Sequence, residues 1–275
     1  MVYPIYKNNA WLKSEEVFVS LQDVGFLRGF GIFDFFRIMT GKPVFLSDHL
    51  DRFLSSADKM GIQHEYSKEQ LGQLIAELAG MSKDECLGVK MILTAGDSLN
   101  GFDPIGQSNL YILPQVFTFA DPEKGMKLMS FEFQREMADI KSLNYAFALR
   151  NWNQVKANGF DDVIYHTPEN GVSESSRSNL FFVKEGVFHT PQSNILEGIT
   201  RKYVMDLIQQ KYTLKLGDFS LEEFKQADEV FITGSTKRIV PITQIDNQVI
   251  NSGKRGPYTE ELFGRFDVRC MMYDV

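Results

Sequence analysis

The chain predicts an α+β fold built as two units, and three features carry that expectation. Short apolar runs of strand type outnumber the helical stretches and are separated by tight-turn residues, as in antiparallel sheets. Helices fall among them without the regular strand–helix alternation of a doubly wound sheet. An Asp121-Pro122 breaker follows an apolar strand and marks the best place to divide the chain. The expected units are a small N-terminal α+β domain at residues 1–118 and a larger C-terminal α+β domain at 122–275.

Each element has its own local signal. Residues 11–21 carry short apolar runs suited to a hairpin. Residues 25–40 form a glycine-punctuated apolar stretch, closed by a Gly41-Lys42-Pro43 turn. Ser47 stands where a helix N-cap is needed. Leu50, Phe53, Leu54 and Ala57 follow at helical spacing, and Gly61 stops the helix. Ser67 and Gln70 make a capping box ahead of Leu71, Leu74, Ile75 and Leu78, with Gly80 as the expected stop. Residues 89–94 and 110–117 read as buried strands. In the second unit a strand is expected at 126–133 and a helix at 142–158, with Leu149, Trp152 and Val155 along one side and Gly159 at its end. A strand at 162–166 runs into a Pro168-Glu169-Asn170-Gly171 turn. Residues 180–183 and 187–190 predict a hairpin across Lys184-Glu185-Gly186. A helix is expected over 199–210, and Ser220 with Glu223 forms another capping box. Residues 229–233 predict a strand that ends in Thr233-Gly234-Ser235-Thr236.

Composition narrows the function. The 275 residues carry a formal net charge of −7, which argues against a nucleic-acid partner because phosphate backbones demand a surplus of Lys and Arg. No apolar run is long enough for a membrane span, and the N-terminus lacks a signal-peptide core. Cys86 and Cys270 make no disulfide framework or metal spacing, so a cytoplasmic protein is expected. The four histidines fall in no zinc-ligand pattern, and no metal is expected. There is no nucleophile elbow and no GxxxxGK[ST] phosphate loop.

What remains is a scattered polar set. Lys141 follows Asp139-Ile140 just before an expected helix. Glu174 opens the run Glu174-Ser175-Ser176-Arg177-Ser178-Asn179. Gly198-Ile199-Thr200 starts a helix, whose first N–H groups and dipole suit a phosphate. Thr233 to Thr236 is a second anion-friendly turn, and Arg52 lies one helical turn after His49. Singly, each reads as an ordinary surface or helix-start residue. Together they are a lysine for a Schiff base, an acid for a heterocyclic nitrogen, and N–H, hydroxyl and guanidinium groups for a phosphate. Pyridoxal phosphate requires that set.

On these residues the chain resembles the class IV, fold-type IV family of pyridoxal-phosphate enzymes. That family includes branched-chain aminotransferases, D-amino acid aminotransferases and 4-amino-4-deoxychorismate lyases. The resemblance runs from about residue 23 to 246 through six ordered blocks. They are His49-Leu50-Asp51-Arg52, Asp139-Ile140-Lys141-Ser142-Leu143-Asn144-Tyr145, the Val172–Phe181 stretch, Leu196-Glu197-Gly198-Ile199-Thr200-Arg201, the Ala227–Thr236 stretch and Pro241 to Asp246.

The resemblance implies pyridoxal 5′-phosphate as cofactor, with Lys141 as the Schiff-base lysine and proton shuttle. It implies Glu174 as partner of the pyridine nitrogen and Tyr145 as a neighbour of the phenolic oxygen. Arg52, Ile199, Thr200 and Thr236 resemble the phosphate binders, with Ser235 beside them. Asn179 resembles a structural residue. The substrate half departs from the pattern. Asp97-Ser98-Leu99-Asn100-Gly101-Phe102 stands where D-amino acid aminotransferases carry an arginine and a histidine for the substrate carboxylate. Phe33 stands where those enzymes have a tyrosine, and Asp34-Phe35 where the lyases have threonines. The 191–195 loop is about two residues short of the family pattern. Arg28 and Arg37 remain as carboxylate candidates, and Phe33 with Phe30, Phe35 and Phe36 favours an apolar substrate side chain.

The implied activity is transamination between an amino acid, with an apolar side chain, and a 2-oxo acid. The alternatives are a lyase that releases pyruvate and a cofactor-binding protein without turnover. The implied assembly is a homodimer, with the 96–106 loop reaching toward a neighbour.

Overall fold

In the computed structural model, residues 3–119, 121 and 123–272 are described; the expected break at Pro122 lies outside them. Ile5–Lys7 (β1) and Ala10–Leu12 (β2) pair antiparallel around a turn in which Asn8 takes a φ of 53°. The hairpin expected at 11–21 is thus displaced toward the N-terminus. Asn8-Asn9 supplies the turn, and Phe18 and Leu21 lie exposed outside any strand. Val24–Arg28 (α1) is capped by the Asp23 carboxylate, which accepts from the Gly25 N–H at 2.7 Å.

Gly31–Met39 (β3), Lys42–Pro43 (β4), Cys86–Thr94 (β5) and Asn109–Val116 (β6) complete a six-stranded antiparallel sheet ordered β2-β1-β6-β5-β3-β4. Period-two alternation sends Ile32, Phe36 and Ile38 into one core with Leu87, Val89, Met91 and Leu93. That core includes Leu50, Phe53 and Ala57 of Leu46–Met60 (α2) and Leu71, Ile75 and Leu78 of Lys68–Met81 (α3). The Ser67/Gln70 box opens α3 as expected, but the helix runs past Gly80. Ser47 does not cap α2. Phe45, left-handed at φ 55°, holds the cap position and places Ser47 within the first turn.

The second unit holds Met126–Glu132 (β7), Ala146–Ala157 (α4), Asp162–Thr167 (β8), Gly171–Ser175 (β9), Asn179–Lys184 (β10) and Val187–Pro191 (β11). Ile199–Gln209 (α5), Leu214–Gly217 (β12), Leu221–Lys225 (α6), Glu229–Gly234 (β13), Arg238–Ile245 (β14), Gln248–Val249 (β15) and Pro257–Met272 (α7) follow. The sheet is mixed rather than antiparallel throughout: β7 pairs in parallel with both β14 and β8, and β11 with β12. A further pairing of β9 with β10 closes the ring β10-β13-β14-β7-β8-β9. Leu128, Ile164, Val172, Leu180, Phe182, Val230, Ile232, Val240 and Ile242 form a core drawn from all six strands.

One short segment departs from the expected division at 118/122. Residues 140–144 group with the first unit, and 119–139 with 145–272 form the second. The physical reason is strand addition. The Phe33 N–H donates to the Lys141 carbonyl at 2.9 Å, and the Leu143 N–H donates to the Gly31 carbonyl at 3.0 Å. These bonds hold 141–143 extended against the edge of β3, so the helix expected from residue 142 starts only at Ala146.

Candidate active site

In the first unit the register of the added segment aims Lys141. The bridge between Ile32 and Ser142 sets Lys141 opposite Phe33, and paired residues share a face of the sheet. The Lys141 Nζ lies 4.4 Å from the Phe33 ring centroid. Phe35 and Arg37 have the same parity on β3, so this face, opposite the α2 and α3 core, carries Phe33, Phe35 and Arg37 together. Phe36 is not among them; it is fully buried in the core. Arg28 stands apart on α1, exposed, with its Nε donating to the Gly101 carbonyl at 3.3 Å.

Arg52 projects from α2 onto Asp34, with Nε to Oδ2 and Nη2 to Oδ1 both 2.8 Å. His49 Nδ1 lies 2.7 Å from the same Oδ1. Burial opposes the Asp34 charge, but Arg52 and His49 override it and hold the carboxyl well below its usual range. Burial also pushes His49 down, against the pull of Asp34, so the ring is neutral and its Nδ1–H donates to the carboxylate. Asp34 thus fixes the plane of the Arg52 guanidinium through two parallel bonds.

In the second unit Glu174 lies almost fully buried where β9 meets β10. Its Oε1 accepts from Arg135 Nη1 at 2.6 Å and its Oε2 from the Leu196 N–H at 3.2 Å. Burial works against the Arg135 cation, but Glu174 more than offsets this and raises its pKa. The Arg135 guanidinium also lies 5.8 Å from the Tyr145 ring centroid, bringing three polar groups together. Asn179 Nδ2 donates to the Leu196 carbonyl at 2.7 Å, tying the same loop to β10. That loop leads into Gly198, the N-cap of α5, which has no side chain to occupy the N–H groups of Ile199 and Thr200. Ser235 and Thr236 lie partly exposed in the turn between β13 and β14. Beside it Ser178 Oγ and Thr233 Oγ1 are buried without a hydrogen-bond partner among the described residues.

One partner residue in each unit was missed from sequence. Asp34 carried a signal: it is a charge at core parity between Ile32 and Phe36, and such a charge needs a partner. Arg135 carried none, since nothing in Glu132-Phe133-Gln134-Arg135-Glu136 separates it from a solvated arginine.

A model of the amino-transferase class IV family matches residues 31–245. A D-alanine aminotransferase of Listeria monocytogenes is 30 % identical over 278 residues, spanning 94 % of this chain and 93 % of that one. The branched-chain aminotransferase of Thermoproteus uzoniensis, solved with norvaline, matches with a TM-score of 0.90 at 25 % identity, over 99 % of this chain and 96 % of that one. A Legionella pneumophila structure provisionally named a 4-amino-4-deoxychorismate lyase matches with a TM-score of 0.84 at 27 % identity, over 93 % and 96 %. The chain belongs to the class IV aminotransferase family. It is an enzyme of the fold-type IV class that uses pyridoxal 5′-phosphate and moves amino groups between amino acids and 2-oxo acids.

The residues present fit that cofactor. The second unit offers a buried carboxylate held in place by an arginine and an N–H, a helix start with no side-chain cap, and a hydroxyl-rich turn beside two buried hydroxyls that have no partner among the described residues. The first unit offers a lysine and an oriented arginine.

Proposed function

We propose that the enzyme transfers the amino group of an amino acid with an apolar side chain to a 2-oxo acid, with Lys141 as the Schiff-base residue. The observation that carries this reading is Lys141 over Phe33, on a sheet face that also bears Phe35 and Arg37. Pyridoxal phosphate, when bound, supplies a carbonyl that condenses with amines and a heterocycle that takes up the electron pair of the broken α-C–H bond. Lys141 Nζ carries the amine that holds the cofactor and, when displaced by substrate, moves the proton from the α-carbon. Glu174 holds the proton on the ring nitrogen, and its bonds to Arg135 and Leu196 keep it in one orientation. Tyr145, beneath Arg135, takes the phenolic oxygen. Arg52, the Ile199 and Thr200 N–H groups, Ser235 and Thr236 bind the phosphate. Phe33 shapes the substrate pocket, and Arg37 or Arg28 meets the substrate carboxylate. Apolar contacts around one cation favour an apolar amino acid over a dicarboxylate.

A cytoplasmic location and a homodimer belong to the same reading. No helix among the described residues is long and apolar enough to cross a membrane. The 96–106 loop is not simply polar and loose: Asn100 Oδ1 accepts from the Phe102 and Asp103 N–H groups, and Leu99 and Phe102 stand 78 % and 76 % exposed. The loop is tied to α1, whose Phe26 is also exposed, through Val24 N–H to the Gly96 carbonyl at 2.9 Å. An apolar patch of this kind suits a second copy of the chain.

Borohydride reduction after reconstitution with pyridoxal phosphate, followed by peptide mapping, is expected to mark Lys141. A mark on another lysine, or none, overturns the assignment. In steady-state assays turnover should need both an amino donor and a 2-oxo acceptor, and should favour apolar donors. The likeness to the Legionella structure supports a second reading, a lyase. Pyruvate released from a donor other than alanine, with no acceptor present, would establish it.

A further inference from the structure

Asp162 opens β8 and has no exposed surface. Its Oδ2 accepts from Lys237 Nζ at 2.8 Å. Its Oδ1 accepts from Ser176 Oγ at 2.5 Å and from the Val163 N–H at 2.9 Å. Lys237 directly follows Thr236 in the β13–β14 turn, where its own N–H donates to the Gly234 carbonyl at 3.0 Å. Ser176 is two residues after Glu174, in a turn closed by Ser175 N–H donating to the Ser178 carbonyl at 2.9 Å. One buried carboxylate therefore touches two segments of the second unit next to proposed cofactor contacts: the hydroxyl turn, through Lys237, and the segment leaving the ring acid, through Ser176.

The neighbouring residue shows how firmly that turn is held. Arg238 takes a left-handed φ of 59°, pairs with Asp267 at 2.7 Å, and stacks 4.1 Å over Phe119 and 4.7 Å over Phe263. Lys237 and Arg238 thus tether the turn to separate supports, while Ser235 and Thr236 between the tether and β13 stay partly exposed. A buried ion pair adds little net stability over apolar residues of the same volume, whereas its geometry is strict. Burial opposes the Asp162 charge, but Lys237 overrides it and keeps the carboxyl below its usual range.

We propose that Asp162 is a positioning residue that sets the phosphate-binding turn against the ring-binding segment, through Lys237 for the first and Ser176 for the second. This rests on the cofactor assignment above and extends it to residues that touch no cofactor atom. The test is titration of the apoprotein, by visible absorbance, with pyridoxal phosphate and with pyridoxal, which lacks the phosphate. Lys237→Met should weaken pyridoxal phosphate by about tenfold or more and leave pyridoxal within about twofold, with Lys237→Arg restoring the phosphate-dependent gain. Ser176→Ala should weaken both ligands alike. Asp162→Asn should do both. Equal loss of both ligands in Lys237→Met would mark general loosening and overturn the proposal, as would wild-type binding by the folded variants. Ser176→Ala removes no charge, so unchanged binding there overturns the proposal even if the charged variants do not fold. Failure of the wild-type apoprotein to bind either ligand would instead bring down the cofactor assignment, and this proposal with it.

Discussion

Asp34 is a charge on the core face of β3, kept there by Arg52 and His49. Its folded carboxyl sits below the ordinary 3.8, so the unfolded chain takes up the proton first as pH falls. Stability from this group is complete above 3.8 and is lost as pH drops toward the folded value. His49 adds to the loss earlier: its folded pKa lies below 6.5, so the unfolded state also binds the proton first below that pH. Thermal melting of the apoprotein should therefore decline from about pH 6.5 downward and steepen below about 4. Asp34→Asn should cost about 3–5 kcal/mol near neutral pH, because it removes the buried charge that Arg52 and His49 share, and should flatten the acid limb. An unchanged acid limb would contradict this. Arg52 itself was legible only through its resemblance to a phosphate binder. Its engagement by Asp34 was not, because a strand residue and a helix residue far apart in sequence meet only in the fold.

Gly198 and Gly80 separate two reasons for a glycine at the scale of the element. A Cβ on Gly198 would stand 2.0 Å from Asn179 Oδ1, so Gly198→Ala must move the α5 start or break the Asn179 bond to Leu196. Overpacking of this kind costs about 1–3 kcal/mol. A Cβ on Gly80, inside α3, would meet open space, and Gly80→Ala should stabilise by about 0.5–1 kcal/mol. Urea denaturation of the two variants should shift in opposite directions; shifts of the same sign would refute the contrast. Elements with a local chemical marker were legible. The Ser67/Gln70 and Ser220/Glu223 capping boxes and the Glu185-Gly186 turn formed where expected. Ser47 misled because Phe45 adopts a left-handed cap that sequence gives little reason to expect. The helix start near residue 142 misled because β3 captures the segment first, a tertiary bond that no local pattern records.

For the whole molecule, light scattering at micromolar concentration should return twice the 31.5 kDa of one chain. Full activity at the mass of a single chain would rule the dimer out. The fold class was readable because alternation and turn residues are local, while the parallel pairings of β7 and the closure of β9 on β10 were not, being set by long-range register. The polar groups proposed for the cofactor stand in the sequence as an ordered set of blocks, but the residues that hold them, Arg135, Asp34 and Asp162, speak only through their partners. The strand added to β3 has a consequence for how the protein is made. The first unit is not a continuous piece of chain: its Gly31–Phe33 edge waits for residues 141–143, which leave the ribosome only after 119–139 have been synthesised. Until then that edge offers unpaired backbone groups to any other strand. A fragment cut at residue 118 would keep the exposed edge and lose Lys141, so the small unit cannot be swapped as a separate module without giving up the lysine proposed to hold the cofactor.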